Sequence, residues 1–443
     1  MDHIKGSNIK TPCTLCEIRQ AAAEGKDVLF RGMVHNIRDM GDFSFVIIRK
    51  FDGMVQCVYT KDCADASIEN LAEESSVEIT GTPVPDDRAP NGVEVQLKSI
   101  KVLTKPYAPA PLTINKWKLT ASLETNLNNR PAALRNNRQR AVFLLQEGIA
   151  RGFREFLHAN HFTEVHTPKI VATGAEGGAN IFKLDYFEKK AFLAQSPQFY
   201  KQALIPVYER VFEIGPVFRA EKHNTARHLN EYTSMDFEMA FIESFYDIME
   251  MEAGFLKYAL SLLQTDYAAQ LKILGVKLPN ADSIPSVRFK DAKEMVAEAY
   301  NRKIKNPFDL EPEEEQLISK LFKEKYNADF VFVTHYPSKK RPFYAMDDPE
   351  DDKYTLSFDL LYDGMEITTG GQRIHSYEEQ VDKLKRKGLD PADFESYLMA
   401  HKYGMPPHGG LGIGLERVCM KLIGETNIRC ATLFPRDMNR LTP

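Results

Sequence analysis

The stretch Val217–Phe241, VFRAEKHNTARHLNEYTSMDFEMAF, constrains this chain most. Its pattern predicts a strand, a charged loop and a second strand. Successive side chains along a strand point to opposite faces. The first strand therefore puts Glu213, Gly215, Arg219 and Glu221 on one face. The second puts Tyr232, Ser234, Asp236 and Glu238 on one face, and Thr233, Met235, Phe237 and Met239 on the other. Between them Lys222, His223, Arg227 and His228 sit in the loop. Such a hairpin packs behind and presents charged and aromatic groups in front. Any half-buried hairpin turns polar groups outward. The dense runs Phe218-Arg219-Ala220-Glu221 and Arg227-His228-Leu229-Asn230-Glu231-Tyr232 argue for a site instead.

A chain of 443 residues predicts two or three domains with a large core. Its 43% hydrophobic and 27% charged content is that of a globular protein outside the membrane. No apolar run approaches the ~20 residues that span a bilayer. The opening MDHIKGSNIK has neither the apolar core of a signal peptide nor an organelle presequence, so the expected location is cytoplasmic. Six cysteines, at 13, 16, 57, 63, 419 and 430, are few and predict reduced thiols. Cys13, Cys16, Cys57 and Cys63 offer a zinc alternative with poor ligand spacing. A formal charge of −5 excludes a broadly basic nucleic-acid coat, so any RNA contact must come from local patches.

Val28–Val34, Phe43–Arg49 and Met54–Tyr59 read as strands, the last two joined at Asp52-Gly53. Cys63–Glu74 reads as a helix, and two further strands follow. Three strands, a helix and two strands is the order of an OB-fold, a small β-barrel that often binds oligonucleotides. Four prolines between residues 105 and 135 mark a stiff linker. From Arg138 a long helix is predicted, with Val142, Leu145, Ile149, Phe153 and Phe156 on one face. The extended run Phe162–Val171 contains Pro168 and leads to a glycine-rich loop bearing Glu176. Gln195–Lys201, the central hairpin and an amphipathic helix over Ser244–Gln264 follow. Residues 280–340 read as helical insertion material plus a strand at Phe330–Thr334, with no catalytic pattern.

SFDLLYDGMEITTGGQRIH (357–375) reads as a hairpin turning at Asp363-Gly364. That turn sets Leu361 opposite Glu366 and makes Asp359 a diagonal neighbour of Glu366 on one face. Two carboxylates so close repel unless a cation lies between them. Mg²⁺ takes one or two carboxylates together with substrate phosphates, and Thr369 can add a hydroxyl. GGLGIGLERVCMKL (409–422) is glycine-rich and runs into a helix carrying Arg417. No Lys-Ser/Thr follows the glycines, which excludes a P-loop.

Together these runs resemble the class II aminoacyl-tRNA synthetases of the aspartate, asparagine and lysine subclass, in the archaeal and eukaryotic form. The central hairpin is similar to motif 2, the segment around Pro168 to motif 1, and 409–422 to motif 3. RGMVHNIRDMGDFSFVIIRKFDGMVQCV (31–58) is similar to the subclass's anticodon-binding domain. The resemblance implies an α+β protein: an N-terminal β-barrel (OB-fold), then a class II catalytic domain with an antiparallel sheet flanked by helices. The corresponding divisions are residues 1–26, a barrel over 27–105, a linker over 106–135 and a catalytic domain over 136–443 with an insertion at about 280–340.

It also implies roles. Arg219 would clamp the α-phosphate of ATP, and Arg227, His228 and Arg417 the β,γ end. Tyr232 would stack on adenine near Glu221, with Leu229 and Gly414 completing the nucleotide site. Asp359, Glu366 and Thr369 would hold Mg²⁺. Lys201 and Arg373 match the residues that meet the side-chain carboxylate of aspartate, while Glu176, Gln198, Asp236 and Thr369 would bind the rest of that amino acid. Phe45 would stack on an anticodon base, Gln56 would read an edge, and Arg31 would lie near phosphates, as single-stranded RNA recognition requires. Pro168 would sit in a homodimer interface.

The activity so implied is ligation of L-aspartate to tRNA(Asp) through an adenylate. Alternatives are charging of both tRNA(Asp) and tRNA(Asn), asparagine ligation, which Lys201 disfavours, a non-catalytic RNA-binding relative, and a tRNA-independent asparagine synthetase.

Overall fold

The computed structural model describes residues 13–63, 67–172, 174, 180–222 and 225–442. They form two compact units that divide between Ala121 and Ser122.

In the first unit β1 (Val28–Asp39), β2 (Phe43–Arg49), β3 (Met54–Thr60), β4 (Ser76–Pro85) and β5 (Val93–Thr104) pair in the order β1-β2-β3-β5-β4. β4 also pairs with β1, so the ring closes. Alternation decides which residues go inside. Val46, Ile48, Val55, Cys57, Val77, Ile79 and Val95 fill the interior, while Phe45 and Gln56 stay half-buried outside it. Cys57 is spent on this core. Among the described residues no three His, Cys, Asp or Glu side chains are placed to hold a metal, which leaves the zinc alternative without a site.

A helix at Leu15–Glu24, which the sequence pattern did not suggest, packs on the barrel. Thr14 closes its N-terminus as a capping box, and Leu15 N–H donates to Asp52 Oδ2 at 2.5 Å. The helix expected over Cys63–Glu74 is absent from the described part of that stretch, where residues 67–74 make turns. Tertiary pairing overrides propensity here. Arg49 Nη1 and Nη2 each donate to the Glu74 carboxylate at 2.8 Å. Glu74 itself adopts φ 66°, which no α-helix accommodates.

The second unit contains β6 (Thr163–Glu164), β7 (Ile170–Val171), β8 (Lys183–Tyr186), β9 (Lys189–Leu193), β10 (Arg210–Phe218), β11 (Glu231–Ala240), β12 (Ser286–Arg288), β13 (Phe330–Thr334), β14 (Ser357–Tyr362), β15 (Met365–Gln372) and β16 (His408–Gly414). β7, β9 and β8 make a small sheet, and the others make one of order β12-β13-β14-β15-β16-β11-β10-β6. Its six inner strands are antiparallel. The outer pairs β12–β13 and β6–β10 are parallel, so the sheet is mixed where an antiparallel one was expected.

β11 sits inside this sheet and shows the predicted division of faces. Met235, Phe237 and Met239 join the core with Leu145, Ile149 and Phe153 of the helix Asn137–Ala159 and Phe255 of the helix Tyr246–Asp266. Burying each such side chain contributes roughly 1.5–3 kcal/mol. The opposite face, with Tyr232, Ser234 and Asp236, opens into a cleft.

The linker expected to run to residue 135 ends earlier. Leu123–Asn128 and Arg130–Ala133 are short helices of the second unit. Arg130, 1% exposed, anchors them by donating to the carbonyls of Leu433 at 2.7 Å and Thr432 at 2.6 Å. Among the described residues no helix is long and apolar enough to cross a membrane.

Candidate active site

A cleft open to solvent lies over β11, β15 and β16. It collects residues from several separate stretches. Arg219 and Glu221 follow β10, and Arg227, His228 and Leu229 come from the loop beyond. Tyr232 and Asp236 lie on β11, Glu366, Thr369 and Arg373 on or just past β15, and Gly414 and Arg417 at the end of β16. Gln198 and Lys201 reach in from the helix Gln198–Tyr208. Glu176 lies outside the described residues. Every other residue expected to meet ATP or aspartate therefore lines one cavity. Asp359 lines the adjoining one, with Glu366 and Thr369 shared between the two.

Two hairpins set this geometry. At the base of the first, Asn230 Nδ2 donates to the carbonyls of Arg219 at 2.7 Å and Glu221 at 3.1 Å. The Arg219 guanidinium then lies 5.8 Å from the ring centre of Tyr232. The second turns at Asp363 and Gly364, whose φ values of 46° and 76° belong to the type I′ turn that Asp-Gly favours. Leu361 pairs with Glu366 as expected. A bulge after it sets Asp359 opposite Thr369.

The amino-acid end is a buried charge cluster. Lys201 Nζ lies 3.0 Å from Asp236 Oδ1 and 3.3 Å from Glu238 Oε2. Arg373 Nε donates to Glu238 Oε1 at 2.9 Å. Burial pushes the Glu238 carboxyl up, but Arg373 and Lys201 outweigh it and hold the group below its ordinary range. The sequence reading left Glu238 out of the site, although it shares a strand face with Asp236. With Asp236 it gives the two cations two carboxylates, so the free cluster is neutral, and a ligand ammonium on Asp236 leaves one cation to be answered. Glu238 also explains Gly410. A Cβ there would stand 2.2 Å from Phe237 O and 2.3 Å from Glu238 Oε2.

At the nucleotide end the cations carry their own counter-charges. Arg417 Nη1 donates to Glu366 O at 2.9 Å and Oε1 at 3.0 Å. Burial raises the Glu366 carboxyl, while Arg417, Arg341, Arg219 and Arg227 together bring it below its usual range. His228 Nε2 is 3.6 Å from Glu221 Oε2. Burial lowers its pKa, with Glu221 opposing and the nearby arginines adding to the fall. Arg227 Nη2 donates to Glu315 of the helix Pro312–Tyr326. That helix belongs to the stretch read as insertion without a catalytic pattern, a reading the placement of Glu315 corrects. Glu315, Arg341 and Glu416 all line the cleft or pair with residues that do. Glu315 and Arg341 have no local sequence signal, whereas Glu416 falls within the glycine-rich run 409–422.

Asp359 and Glu366 are the candidate metal ligands. Burial, opposed by Arg341 and reinforced by Glu366, pushes the Asp359 carboxyl up to about 6. Asp359 Oδ1 is buried without a partner in hydrogen-bond geometry among the described residues. A pair of hard oxygen donors, one of them met only by the Arg341 guanidinium at 2.8 Å, fits a magnesium ion whose shell substrate phosphates complete.

On the barrel, Phe45 pairs with Val58 and Gln56 with Ile47, making Phe45 and Gln56 diagonal neighbours on one outer face. Phe45 also packs edge-on against Phe43 at 5.1 Å. Arg31 Nε donates to Glu78 at 2.8 Å. Around Pro168, Glu213 turns away from the cleft and accepts from Thr167 N–H at 2.9 Å and Oγ1 at 2.7 Å.

A family model described as class II tRNA synthetases (D, K and N) matches residues 122–438, and one described as an OB-fold nucleic acid binding domain matches residues 28–103. The chain belongs to this family of class II tRNA synthetases. It is 44% identical to the aspartate–tRNA(Asp/Asn) ligase of Thermus thermophilus, over 95% of this chain and 97% of that protein. It is 40% identical to the aspartate–tRNA(Asp) ligase of Pyrococcus abyssi, over 95% and 97%. Among solved structures, the asparaginyl-tRNA synthetase of Pyrococcus horikoshii complexed with asparaginyl-adenylate superposes with a TM-score of 0.88 at 31% identity, covering 98% of this chain and 99% of that one.

Proposed function

We propose that the protein ligates L-aspartate to tRNA(Asp), as a homodimer in the cytoplasm. In the first step an oxygen of the substrate α-carboxylate attacks the α-phosphorus of ATP. The bond to the bridging oxygen breaks and pyrophosphate leaves. The nucleophile is already an anion, so no general base is needed, and catalysis is positioning plus charge stabilisation. Arg219 serves the α-phosphate with its planar fork, Arg227, His228 and Arg417 serve the β,γ end, and Tyr232 takes the adenine face. Asp359, Glu366 and Thr369 would hold Mg²⁺, which supplies neutralisation of the polyphosphate when bound. In the second step a hydroxyl of the tRNA's terminal ribose attacks the activated carbonyl, and AMP leaves.

The observation that carries the choice of amino acid is Lys201 and Arg373 meeting at one buried spot, with Glu238 answering only one of them. Asp236 suits the α-ammonium. A side-chain carboxylate then restores neutrality, whereas an asparagine amide leaves one buried positive charge unanswered. Pyrophosphate exchange with aspartate and asparagine side by side tests this. Aspartate should be activated at least ~10⁴-fold better, as expected where a site's polar groups demand a partner. Comparable rates would exclude the reading. Because relatives such as that of Thermus thermophilus are named for both tRNAs, charging of tRNA(Asn) with aspartate is the second reading. Aminoacylation assays with each tRNA separate the two.

The dimer reading rests on family resemblance at Pro168 and on the neighbouring small sheet, which leaves Ile170 48% and Phe187 91% exposed. A monomer by sedimentation at micromolar concentration would exclude it.

A further inference from the structure

Arg341 lies on the segment between β13 and β14, outside the two hairpins and the glycine-rich run that frame the cleft, and its position is built rather than incidental. Lys387 Nζ donates to the carbonyls of Ser338 at 2.6 Å, Lys339 at 3.2 Å and Arg341 at 2.8 Å, fixing the backbone. Lys383 donates to Ser338 Oγ at 2.8 Å and pairs with Asp347 on the same segment. The guanidinium carbon lies over the Tyr336 ring, 3.9 Å from its centre. It is 11% exposed and faces both the main cleft and the adjoining cavity.

Its Nη2 comes within 2.8 Å of Asp359 Oδ1. Among the described residues neither atom has a partner in hydrogen-bond geometry, nor has Arg341 Nε. The contact is therefore Coulombic, with the directional donors of the guanidinium and an acceptor of the carboxylate still unused. Buried donors left unmade are costly, so native sites keep them for a partner. A planar fork of N–H groups matches phosphate oxygens.

We propose that Arg341 is a placeholder for the metal in the free enzyme and a phosphate ligand in the loaded one. This rests on the reading of Asp359 and Glu366 as the metal pair. In the free enzyme the guanidinium supplies the positive charge that Asp359 needs. A divalent cation on the same oxygen repels it, and the released Nε and Nη2 donors then face the polyphosphate. Metal and nucleotide binding are thereby coupled, and by linkage each strengthens the other.

The test uses full-length protein, with Mn²⁺ followed by electron paramagnetic resonance, first without nucleotide and then with the α,β-methylene analogue of ATP. R341Q should bind Mn²⁺ about tenfold more tightly without nucleotide, within the usual range of such couplings, yet bind the analogue more weakly. R341K keeps the charge but loses the fork, so its Mn²⁺ affinity should match wild type while the analogue binds more weakly. Should R341Q not fold, R341K with wild-type affinity for the analogue overturns the proposal. An Mn²⁺ affinity in R341Q equal to or below that of wild type overturns it directly. D359N reports on the underlying reading. Loss of Mn²⁺ binding there supports the metal pair, and wild-type binding removes both the pair and the inference.

Discussion

Glu238 Oε1 accepts from Arg373 Nε at 2.9 Å across 135 residues of chain, and the carboxylate is 0% exposed. With its other oxygen near Lys201, this one side chain sets how two cations are spaced. The local charge count is then even, because Lys201 and Arg373 face Asp236 and Glu238. The free pocket is neutral, and once the substrate's α-ammonium takes Asp236 one cation is left for a side-chain carboxylate to answer.

Removing that carboxylate's charge should be expensive. Glu238→Gln keeps the shape but leaves a buried cation unanswered, and breaking a buried pair in this way costs about 3–5 kcal/mol. The denaturant midpoint of the variant should fall accordingly, and aspartate activation should fall with it because Arg373 loses the negative charge that holds it. A midpoint within ~0.5 kcal/mol of wild type would show that Glu238 does not carry the charge assigned to it.

Arg219 is expected to act mainly on the transition state, where negative charge gathers around the α-phosphate. Arg219→Ala should lower kcat of pyrophosphate exchange by about 10²–10³, as loss of one preorganised donor does elsewhere, with a smaller change in KM for ATP. A variant altered in KM alone would assign Arg219 to ground-state binding.

For the barrel, the outer-face neighbours Phe45 and Gln56 should act together on the anticodon. Gln56→Ala should impair tRNA charging while leaving tRNA-independent activation intact. Phe45→Ala should lose about 1–3 kcal/mol of tRNA binding, the worth of stacking on one base. Equal loss of both reactions would make these residues part of the fold.

What could be read from the sequence follows from the range of the interactions. The alternation along β11 and the Asp363-Gly364 turn are local, and both the packing face and the pairing of Leu361 with Glu366 were legible in advance. Gln198, Lys201 and Arg373 were placed by motif resemblance. Glu315 and Arg341 were not legible. Glu315 pairs with Arg227 across 88 residues, and Arg341 is defined by Tyr336, Lys387 and Asp359. Neither stands in a periodic or motif position. The expected helix over Cys63–Glu74 failed for the same reason, since the partner of Glu74 is a distant arginine.

A last consequence concerns pH. Glu252 of the helix Tyr246–Asp266 is 0% exposed beneath β15. Thr368 Oγ1 donates to its Oε1 at 2.5 Å, and its Oε2 has no partner among the described residues. Burial pushes its pKa up to about 8, with Asp359 adding and the Thr368 hydrogen bond opposing. The folded protein thus holds a proton that the unfolded chain, with a carboxyl near 4.5, gives up above that pH. The native state binds more protons between these values, so stability from this group is full below 4.5 and is lost as pH rises through about 8. Within that window the slope approaches about 1.4 kcal/mol per pH unit. Glu252→Gln keeps the acceptor for Thr368 and cannot ionise, so it should gain stability relative to wild type as pH rises. Urea unfolding at pH 5.5 and pH 7.5 measures this directly. A wild-type to variant difference that is the same at both pH values would show that Glu252 does not titrate between its unfolded value and the raised one.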